Sequence, residues 1–176
     1  MQTHRELLLE GRKTLEEAGI ADSTTDAWLL MEYITGMTRA SYFMRENEEM
    51  SREQAEKYRE MIRRRAQHIP LQHITHEAWF YGLKFYVDEH VLTPRQDTEV
   101  LVEEVLLEAG KMQAGSSRSR ILDMCTGSGC ILLALLSVLK EAEGVGADLS
   151  EEALAVAAKN SRELGIPAVW KKSDLF

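Results

Sequence analysis

The stretch that most constrains the fold runs from Ile121 to Ile131 and reads Ile-Leu-Asp-Met-Cys-Thr-Gly-Ser-Gly-Cys-Ile. A short apolar run ends at Asp123, a loop with Gly127 and Gly129 follows, and a strongly apolar helical segment comes next. This order predicts the first strand, loop and helix of a nucleotide-binding α/β sheet. Glycine has no Cβ, so the backbone of the loop can turn tightly and lie against a ligand.

A second acidic residue supports the same prediction. The run from Gly144 to Asp148 follows roughly twenty residues later and reads as the second strand of the sheet. Its last residue, Asp148, stands where such folds hold a ribose by its hydroxyls.

The residues around the loop also bear on the class of ligand. A dinucleotide fold usually has a third glycine three residues after the second, where this chain has Leu132. The two carboxylates near the loop, with no basic residue beside them, suit a cation better than a phosphate. We therefore favour S-adenosylmethionine, which has a sulfonium, an ammonium and a ribose diol, and keep a nicotinamide-dependent oxidoreductase as an alternative.

Composition and charge limit the class of protein. A net charge of −8 argues against a broad nucleic-acid surface. The triplet Arg63-Arg64-Arg65 is either solvated charge at a helix end or a patch facing an anionic partner. No apolar run is long enough to span a membrane, and the N-terminus has no signal-peptide pattern. We expect a cytoplasmic protein with Cys125 and Cys130 as reduced thiols and with no metal site.

Helical patterns fill the first seventy residues or so. Thr3 with Glu6, and Ser51 with Gln54, predict capping boxes at the starts of two helices. A helix opening at Asp22 or Ser23 and a short helix from Thr38 to Phe43 are predicted between them. The expected bundle core includes Leu7, Leu8, Leu15, Trp28, Leu29, Leu30, Tyr33, Ile34, Ala55, Tyr58 and Ile62.

The rest of the chain alternates strands and helices. An aromatic hairpin is predicted around Gly82, and then a helix carrying Val100, Leu101, Val105 and Leu106. Residues 110–119 are predicted to form a surface loop, and two further helices flank the second strand. The third strand is predicted at 168–170. Because a doubly wound sheet needs about five strands, we expect a piece of a longer protein with apolar sheet surface exposed.

Several segments together resemble the bacterial release-factor glutamine N5-methyltransferases. The matching segments are Pro70-Leu71-Gln72, Phe80 to Phe85, Val91 to Glu99, Leu122 to Gly129, Ala147-Asp148 with Ser150, and Ser173 to Phe176. The helical N-terminal region fits the family too, so the resemblance covers the whole chain. Gln96 and Asp97 depart from the usual Pro-Arg-Pro-Glu-Thr-Glu linker motif, and His73 and His76 stand where Tyr and Gly are common.

The resemblance implies an α/β fold with three parts. These are a helical substrate-recognition bundle at 1–73, a β-hairpin linker at 74–93, and the first half of a Rossmann-like class I methyltransferase sheet at 94–176. It implies methyl transfer from S-adenosylmethionine to the Gln side-chain amide of the Gly-Gly-Gln loop in peptide chain release factors. The implied partner is a release factor, with no membrane or direct nucleic-acid contact, and the complete protein is expected to be a monomer.

The resemblance also implies a set of cofactor-binding residues. Asp123 is expected to be one of them, the loop Cys125, Thr126, Gly127, Ser128 and Gly129 to wrap the methionine part, and Asp148 to take the ribose hydroxyls. Asp174 and Leu175 are expected to border the adenine, with Arg95, Thr98 and Glu99 in the linker motif beside the pocket. No catalytic residue is assigned, because the Asn-Pro-Pro-Tyr motif that holds the glutamine in this family does not occur in the sequence.

Two other functions stay open from the sequence. A sister activity acts on a ribosomal protein glutamine and shares the same cofactor motifs. The helical region alone could also serve as a non-enzymatic module that docks a release factor. With the Asn-Pro-Pro-Tyr motif absent, we expect residues 1–176 by themselves not to transfer methyl groups and to bind S-adenosylmethionine weakly at best.

Overall fold

The computed structural model describes residues 2–112 and 119–175, with the backbone alone at residue 112. The chain divides into two compact units, Met1–Thr75 and His76–Phe176. Within the described residues, no helix is both long enough and apolar enough to cross a membrane.

The first unit is entirely helical. Its helices are α1 (His4–Glu17), α2 (Ser23–Thr35), α3 (Arg39–Arg45), α4 (Arg52–Ala66) and α5 (Leu71–Thr75). At the start of α1 the predicted capping box is complete, because Thr3 Oγ1 accepts from the Glu6 amide at 3.2 Å and Glu6 Oε2 accepts from the Thr3 amide at 2.9 Å. Each such cap stabilises a helix by about 1 kcal/mol.

The capping box predicted for α4 is only half formed. Ser51 Oγ accepts from the Gln54 amide at 3.2 Å, as expected. The Gln54 side chain does not accept from the Ser51 amide: its Oε1 accepts from the Ser51 hydroxyl at 3.1 Å, and its Nε2 donates to the carbonyl of Ile34 at 3.5 Å. The side chain therefore links α4 to the end of α2.

The core of the first unit contains most of the predicted residues, with two corrections on α2. Leu29 and Tyr33 are 38% and 46% exposed, whereas Leu30 is fully buried. Their exposure shows that the apolar residues of α2 are too many to fit one buried stripe. The remaining core residues are Leu7, Leu15, Ile20, Trp28, Met31, Tyr42, Met50, Ala55, Tyr58, Ile62 and Ile74.

Two members of the arginine triplet at the end of α4 form ion pairs inside this unit. Arg65 Nε lies 2.6 Å from Asp26 Oδ2 in a largely buried pair, and Arg63 pairs with Glu60. The triplet is therefore better interpreted as charge that is compensated within the unit than as a patch that faces an anionic partner.

The second unit begins with the predicted hairpin. Strands β1 (Ala78–Phe80) and β2 (Leu83–Phe85) pair antiparallel, with Phe80 opposite Leu83. Tyr81 and Gly82 both have positive φ, 49° and 72°, which matches the twist of a two-residue hairpin turn. Phe80 and Phe85 are buried in the core of this unit.

Helix α6 (Glu99–Met112) follows a short 3-10 turn at Gln96–Thr98. Val102 is fully buried, whereas Val100 and Leu101 are 58% and 50% exposed. The helix continues through Gly110, so the prediction that a loop starts there is wrong. Helical hydrogen bonding outweighs the modest cost of one glycine. The rest of that loop, residues 113–118, lies outside the described part of the chain.

A three-stranded parallel sheet completes the second unit. Strands β3 (Arg120–Met124), β4 (Glu143–Asp148) and β5 (Val169–Lys172) lie in the order β3-β4-β5. Helix α7 (Cys130–Val138) connects the first two strands and α8 (Glu151–Leu164) connects the last two. The carboxyl ends of parallel strands meet at one edge of the sheet, which brings the loop after β3 beside the end of β4.

Apolar positions are distributed unevenly around this sheet. Leu132 to Leu136 on α7 are buried, as predicted for a helix covering a parallel sheet. Leu122 on β3 and Val169 on β5 are 63% and 52% exposed. These two strands border an open groove of about 790 Å³.

Candidate functional site

The loop between β3 and α7 is held in an unusual backbone shape. Cys125, Gly127 and Gly129 have φ angles of 59°, 54° and 78°. Two of these left-handed positions are glycines, for which the shape costs little, and Cys125 bears the strain of a non-glycine residue there. A Cβ added at Gly127 would meet no atom of the described residues within 4 Å, so there is open space next to the loop.

Asp148, at the carboxyl end of β4, faces this loop. Its Oδ2 accepts a hydrogen bond from the Gly127 amide at 2.9 Å, and its Oδ1 accepts one from the Ser150 amide at 3.0 Å. A carboxylate has about four acceptor positions, so each oxygen can still accept a hydrogen bond from a ligand hydroxyl.

Asp123 precedes the loop, near the end of β3. Thr126 Oγ1 donates to Asp123 Oδ2 at 2.7 Å, and the Thr126 amide donates to the carbonyl of Ala147 at 2.9 Å. Burial raises the pKa of Asp123 above its ordinary value; the Thr126 hydroxyl opposes this shift, and the nearby charge of Asp148 adds to it. A cation bound here would relieve both unfavourable effects on the ionised form.

Glycines permit close packing under the loop. A Cβ added at Gly146 would lie 2.3 Å from Cζ3 of Trp170, and one added at Gly129 would lie 2.9 Å from Cη2 of the same indole. The Trp170 ring therefore packs directly on the backbone of β4 and of the loop. Gly129 is also the N-cap of α7.

One residue that positions the loop was missed by the sequence analysis. Asn160, on α8, is 1% exposed. Its side-chain Nδ2 donates to the carbonyls of Ser128 at 2.9 Å and Tyr86 at 3.0 Å, and its Oδ1 accepts from the Tyr86 amide at 2.7 Å. The available signal was a polar residue in register with Ala153, Val156 and Ala157 on the buried face of α8.

The predicted residues of the linker motif are engaged locally. Arg95 is exposed, and its carbonyl accepts from the Thr98 amide at 3.0 Å. Glu99 Oε1 accepts from the amide of Tyr81, in the hairpin turn, at 2.8 Å. Glu99 thus ties α6 to the hairpin, and a cofactor contact of Arg95, Thr98 and Glu99 stays a prediction.

The predicted adenine-bordering residues follow β5. The Ser173 amide donates to the Asp148 carbonyl at 3.0 Å, which brings this segment to the end of β4. Asp174 is exposed, and Leu175 is 55% exposed with a φ of 65°. Both side chains are free to meet a ligand at that edge, and their role also stays a prediction.

The remaining loop residues surround the open space in different ways. Cys125 is exposed and Cys130 is half-buried, both as free thiols. Thr126 and Ser128 are buried at 6% and 3% exposure. The loop therefore presents Cys125 and the backbone of Gly127 outward, while its two hydroxyl side chains face the protein.

The parallel strand order, the left-handed glycine loop after the first strand and the acid after the second define the class of this fold. It is an α/β protein with a helical N-terminal unit and a Rossmann-like parallel sheet, of which the described residues form three strands.

Residues 6–75 match the model of the PrmC N-terminal domain family. The chain is 37% identical to the release factor glutamine methyltransferase of Agrobacterium fabrum over 159 residues, which cover 90% of this chain and 55% of that protein. It is 40% identical to the enzyme of the same name from Caulobacter vibrioides over 152 residues, 86% of this chain and 51% of that protein. The predicted resemblance to the release factor glutamine methyltransferases is thus confirmed, and the chain spans a little over half the length of these two relatives.

Among solved structures, the N-terminal domain of human METTL16 in complex with SAH has a TM-score of 0.45 and 18% identity, covering 54% of this chain and 38% of that one. The fold class is defined by the strand order of this chain and not by the similarity to that structure.

Proposed function

We propose that this chain supplies the cofactor site and the substrate-recognition unit of an S-adenosylmethionine-dependent protein-glutamine N-methyltransferase. The proposed acceptor is the side-chain amide nitrogen of the Gln in the Gly-Gly-Gln loop of peptide chain release factors. The names of the curated relatives support this acceptor over the ribosomal protein alternative.

The observation that carries the proposal is the contact between Asp148 and the glycine loop. Asp148 Oδ2 accepts from the Gly127 amide at 2.9 Å, so the carboxylate borders the open space beside the loop. An acceptor-only group there matches a ribose diol, which offers two hydroxyl donors.

The charges of the site support a cationic ligand. Residues 123–129 together with Asp148 contain two acidic side chains and no basic one. A pyrophosphate would meet repulsion from Asp123 and Asp148, whereas a sulfonium and an ammonium would meet attraction. This difference favours S-adenosylmethionine over NAD.

The groups fit S-adenosylmethionine in the following way. Asp148 would hold the ribose hydroxyls, the loop from Cys125 to Gly129 would border the methionine part, and Asp174 and Leu175 would border the adenine. The bound cofactor supplies an electrophilic methyl group. The part played by the chain is to bind and orient it, with the half-buried Asp123 carboxylate adding negative charge beside the cation.

A separate role is proposed for the first unit. The unit Met1–Thr75 has its own hydrophobic core, which is the property needed for a module that docks a protein partner by itself. We propose that this unit binds the release factor. Together with the two free thiols, this acceptor favours a cytoplasmic location.

The transfer step is proposed to need residues beyond these 176. An amide nitrogen is a poor nucleophile because its lone pair is delocalised, so the glutamine must be held and oriented by hydrogen bonds. The family motif that does this, Asn-Pro-Pro-Tyr, does not occur in residues 1–176.

A radiolabelled-methyl assay tests the function. Residues 1–176, and the same chain extended through an Asn-Pro-Pro-Tyr segment, are each incubated with labelled S-adenosylmethionine and with either a release factor or a ribosomal protein. We expect label in the release factor only, and only with the extended chain. Labelling by residues 1–176 alone would contradict the need for further residues, and labelling of the ribosomal protein alone would contradict the proposed acceptor.

A further inference from the structure

The carboxamide of Asn160 joins two segments that lie far apart in the sequence. It bonds both backbone polar groups of Tyr86, 74 residues away, and the carbonyl of Ser128, 32 residues away. Two carbonyls require donors and one amide requires an acceptor, so the orientation of the side-chain amide is fixed by its partners. Both donor hydrogens and one acceptor position are used.

The bond to Ser128 fixes a peptide plane inside the glycine loop. The Ser128 carbonyl and the Gly129 amide belong to one planar trans unit and point in opposite directions. The carbonyl accepts from Asn160 at 2.9 Å, and the amide donates to the Thr126 carbonyl at 2.8 Å. This peptide is therefore held from both sides, next to the left-handed Gly127 and Gly129.

The bonds to Tyr86 extend the connection to the hairpin. Tyr86 follows β2 directly and leads into the segment from Val87 to Val91, whose two ends are buried at 0% and 6% exposure. On the Tyr86 ring lie the Lys159 Nζ, at 3.0 Å from the centroid, and the stacked His76 ring at 5.3 Å. The backbone that Asn160 holds is thus itself well anchored.

We propose that Asn160 is a positioning residue, whose carboxamide holds the glycine loop in the shape that accepts the cofactor and couples that shape to the hairpin backbone at Tyr86. The identity of the ligand rests on the proposed function. The positioning role rests on the hydrogen bonds alone.

Asn160→Asp is the main test, because it keeps the size and the acceptor for the Tyr86 amide and removes the two donors. Ser161→Ala is the matched control. Ser161 is the next residue on α8, is 8% exposed, and donates to the carbonyl of Ile166 at 2.5 Å, away from the loop. Both variants lose buried hydrogen bonds of one helix, but only the first alters the loop.

The measurements are an NMR titration with S-adenosylmethionine, hydrogen exchange of the Gly127 and Gly129 amides without ligand, and thermal unfolding. In Asn160→Asp we expect the dissociation constant to rise by about tenfold, since the carbonyls of Ser128 and Tyr86 lose their donors, and such a loss changes an equilibrium constant by roughly five- to a hundredfold. We also expect faster exchange at both glycines. In Ser161→Ala we expect a lower Tm with affinity and glycine exchange unchanged.

Wild-type affinity and exchange in Asn160→Asp would overturn the proposal, and so would an equal loss of affinity in Ser161→Ala. If Asn160→Asp does not fold, Asn160→Ser takes its place, because it leaves room for a water to occupy part of the amide's position. If the wild type does not bind S-adenosylmethionine while the variant still loosens both glycines, the proposed function fails and the positioning role stands.

Discussion

Replacement of Gly146 by alanine tests the packing beneath the candidate site. The added Cβ would lie 2.3 Å from Cζ3 and 2.6 Å from Cε3 of Trp170, and 3.0 Å from Thr126 Oγ1. Favourable carbon–carbon contacts lie at about 3.5–4.0 Å, so the indole must move by roughly an ångström or more. The backbone of Gly146 does not have a positive φ, so the whole effect comes from this overlap.

The expected cost follows from the overlap. Forcing an extra carbon into a close-packed contact destabilises a protein by about 1–3 kcal/mol. Gly110→Ala is the matched control, because Gly110 lies within α6 and no atom of the described residues lies within 4 Å of its added Cβ. The same chemical change there should stabilise the helix by about 0.8–1 kcal/mol.

The assay is urea unfolding followed by circular dichroism, with the m-value checked for each variant. Gly146→Ala is also measured in a Trp170→Leu background, where the shorter side chain leaves room for the Cβ. The two substitutions should then be non-additive by about 1 kcal/mol or more in the direction of relief. An equal cost of Gly146→Ala in both backgrounds, or a neutral effect in the wild type, would refute the packing argument.

Three further changes have expected outcomes. Asp123→Asn should stabilise the free chain at neutral pH and lower its affinity for S-adenosylmethionine by about tenfold, measured by unfolding and titration. Burial raises the pKa of Asp123, so this carboxyl contributes most to folding stability below its ordinary pKa of 3.8, and the contribution is lost as the pH rises through the pKa of the folded state. Asp123→Asn should not show this pH-dependent loss of stability. A pH profile of stability that is the same in both proteins would contradict the raised pKa of Asp123. Ser150→Ala removes the N-cap acceptor of the Ala153 amide, at 3.0 Å, and should cost about 1 kcal/mol in unfolding; no cost would contradict the cap. Gly11→Ala would place its Cβ 2.3 Å from the hydroxyl oxygen of Tyr58 and should cost about 1–3 kcal/mol in thermal or urea unfolding, whereas a neutral result would contradict the packing of α1 on α4.

Much of the fold could be predicted because, at many positions, the preferences of a few neighbouring residues decide the local structure. Short sequence patterns predict the Thr3 cap, the left-handed glycines Gly36 and Gly165 at helix ends, and the strand that precedes the glycine loop. At these positions no distant contact opposes the local preference.

The errors occur where packing decides. Val102 is buried, while its neighbours Val100 and Leu101 are exposed, because only one stripe of α6 meets the core. The Gln54 side chain contacts the Ser51 hydroxyl and a carbonyl at the end of another helix, and not the Ser51 amide. Neither outcome can be read from the spacing of residues in the chain.

The candidate site also has features that the sequence predicts and features that it does not. Asp148 at the loop was predictable from strand, loop and acid spacing. The hydrogen bonds of Asn160 to Tyr86 join residues 74 positions apart, and the Trp170 ring contacts Gly146 from the next strand. Such contacts depend on the tertiary structure, so the sequence alone indicates only that a polar residue lies on an apolar helix face.

The most direct test of the account is an NMR titration of residues 1–176 with S-adenosylmethionine and, in parallel, with NAD. This measurement detects weak binding and reports the place of binding residue by residue. We predict that S-adenosylmethionine shifts the amide signals of Gly127, Gly129 and Asp148, that Asp148→Asn abolishes these shifts, and that NAD leaves them unchanged. Saturable shifts caused by NAD at this loop, or S-adenosylmethionine shifts confined to other parts of the chain, would contradict the account.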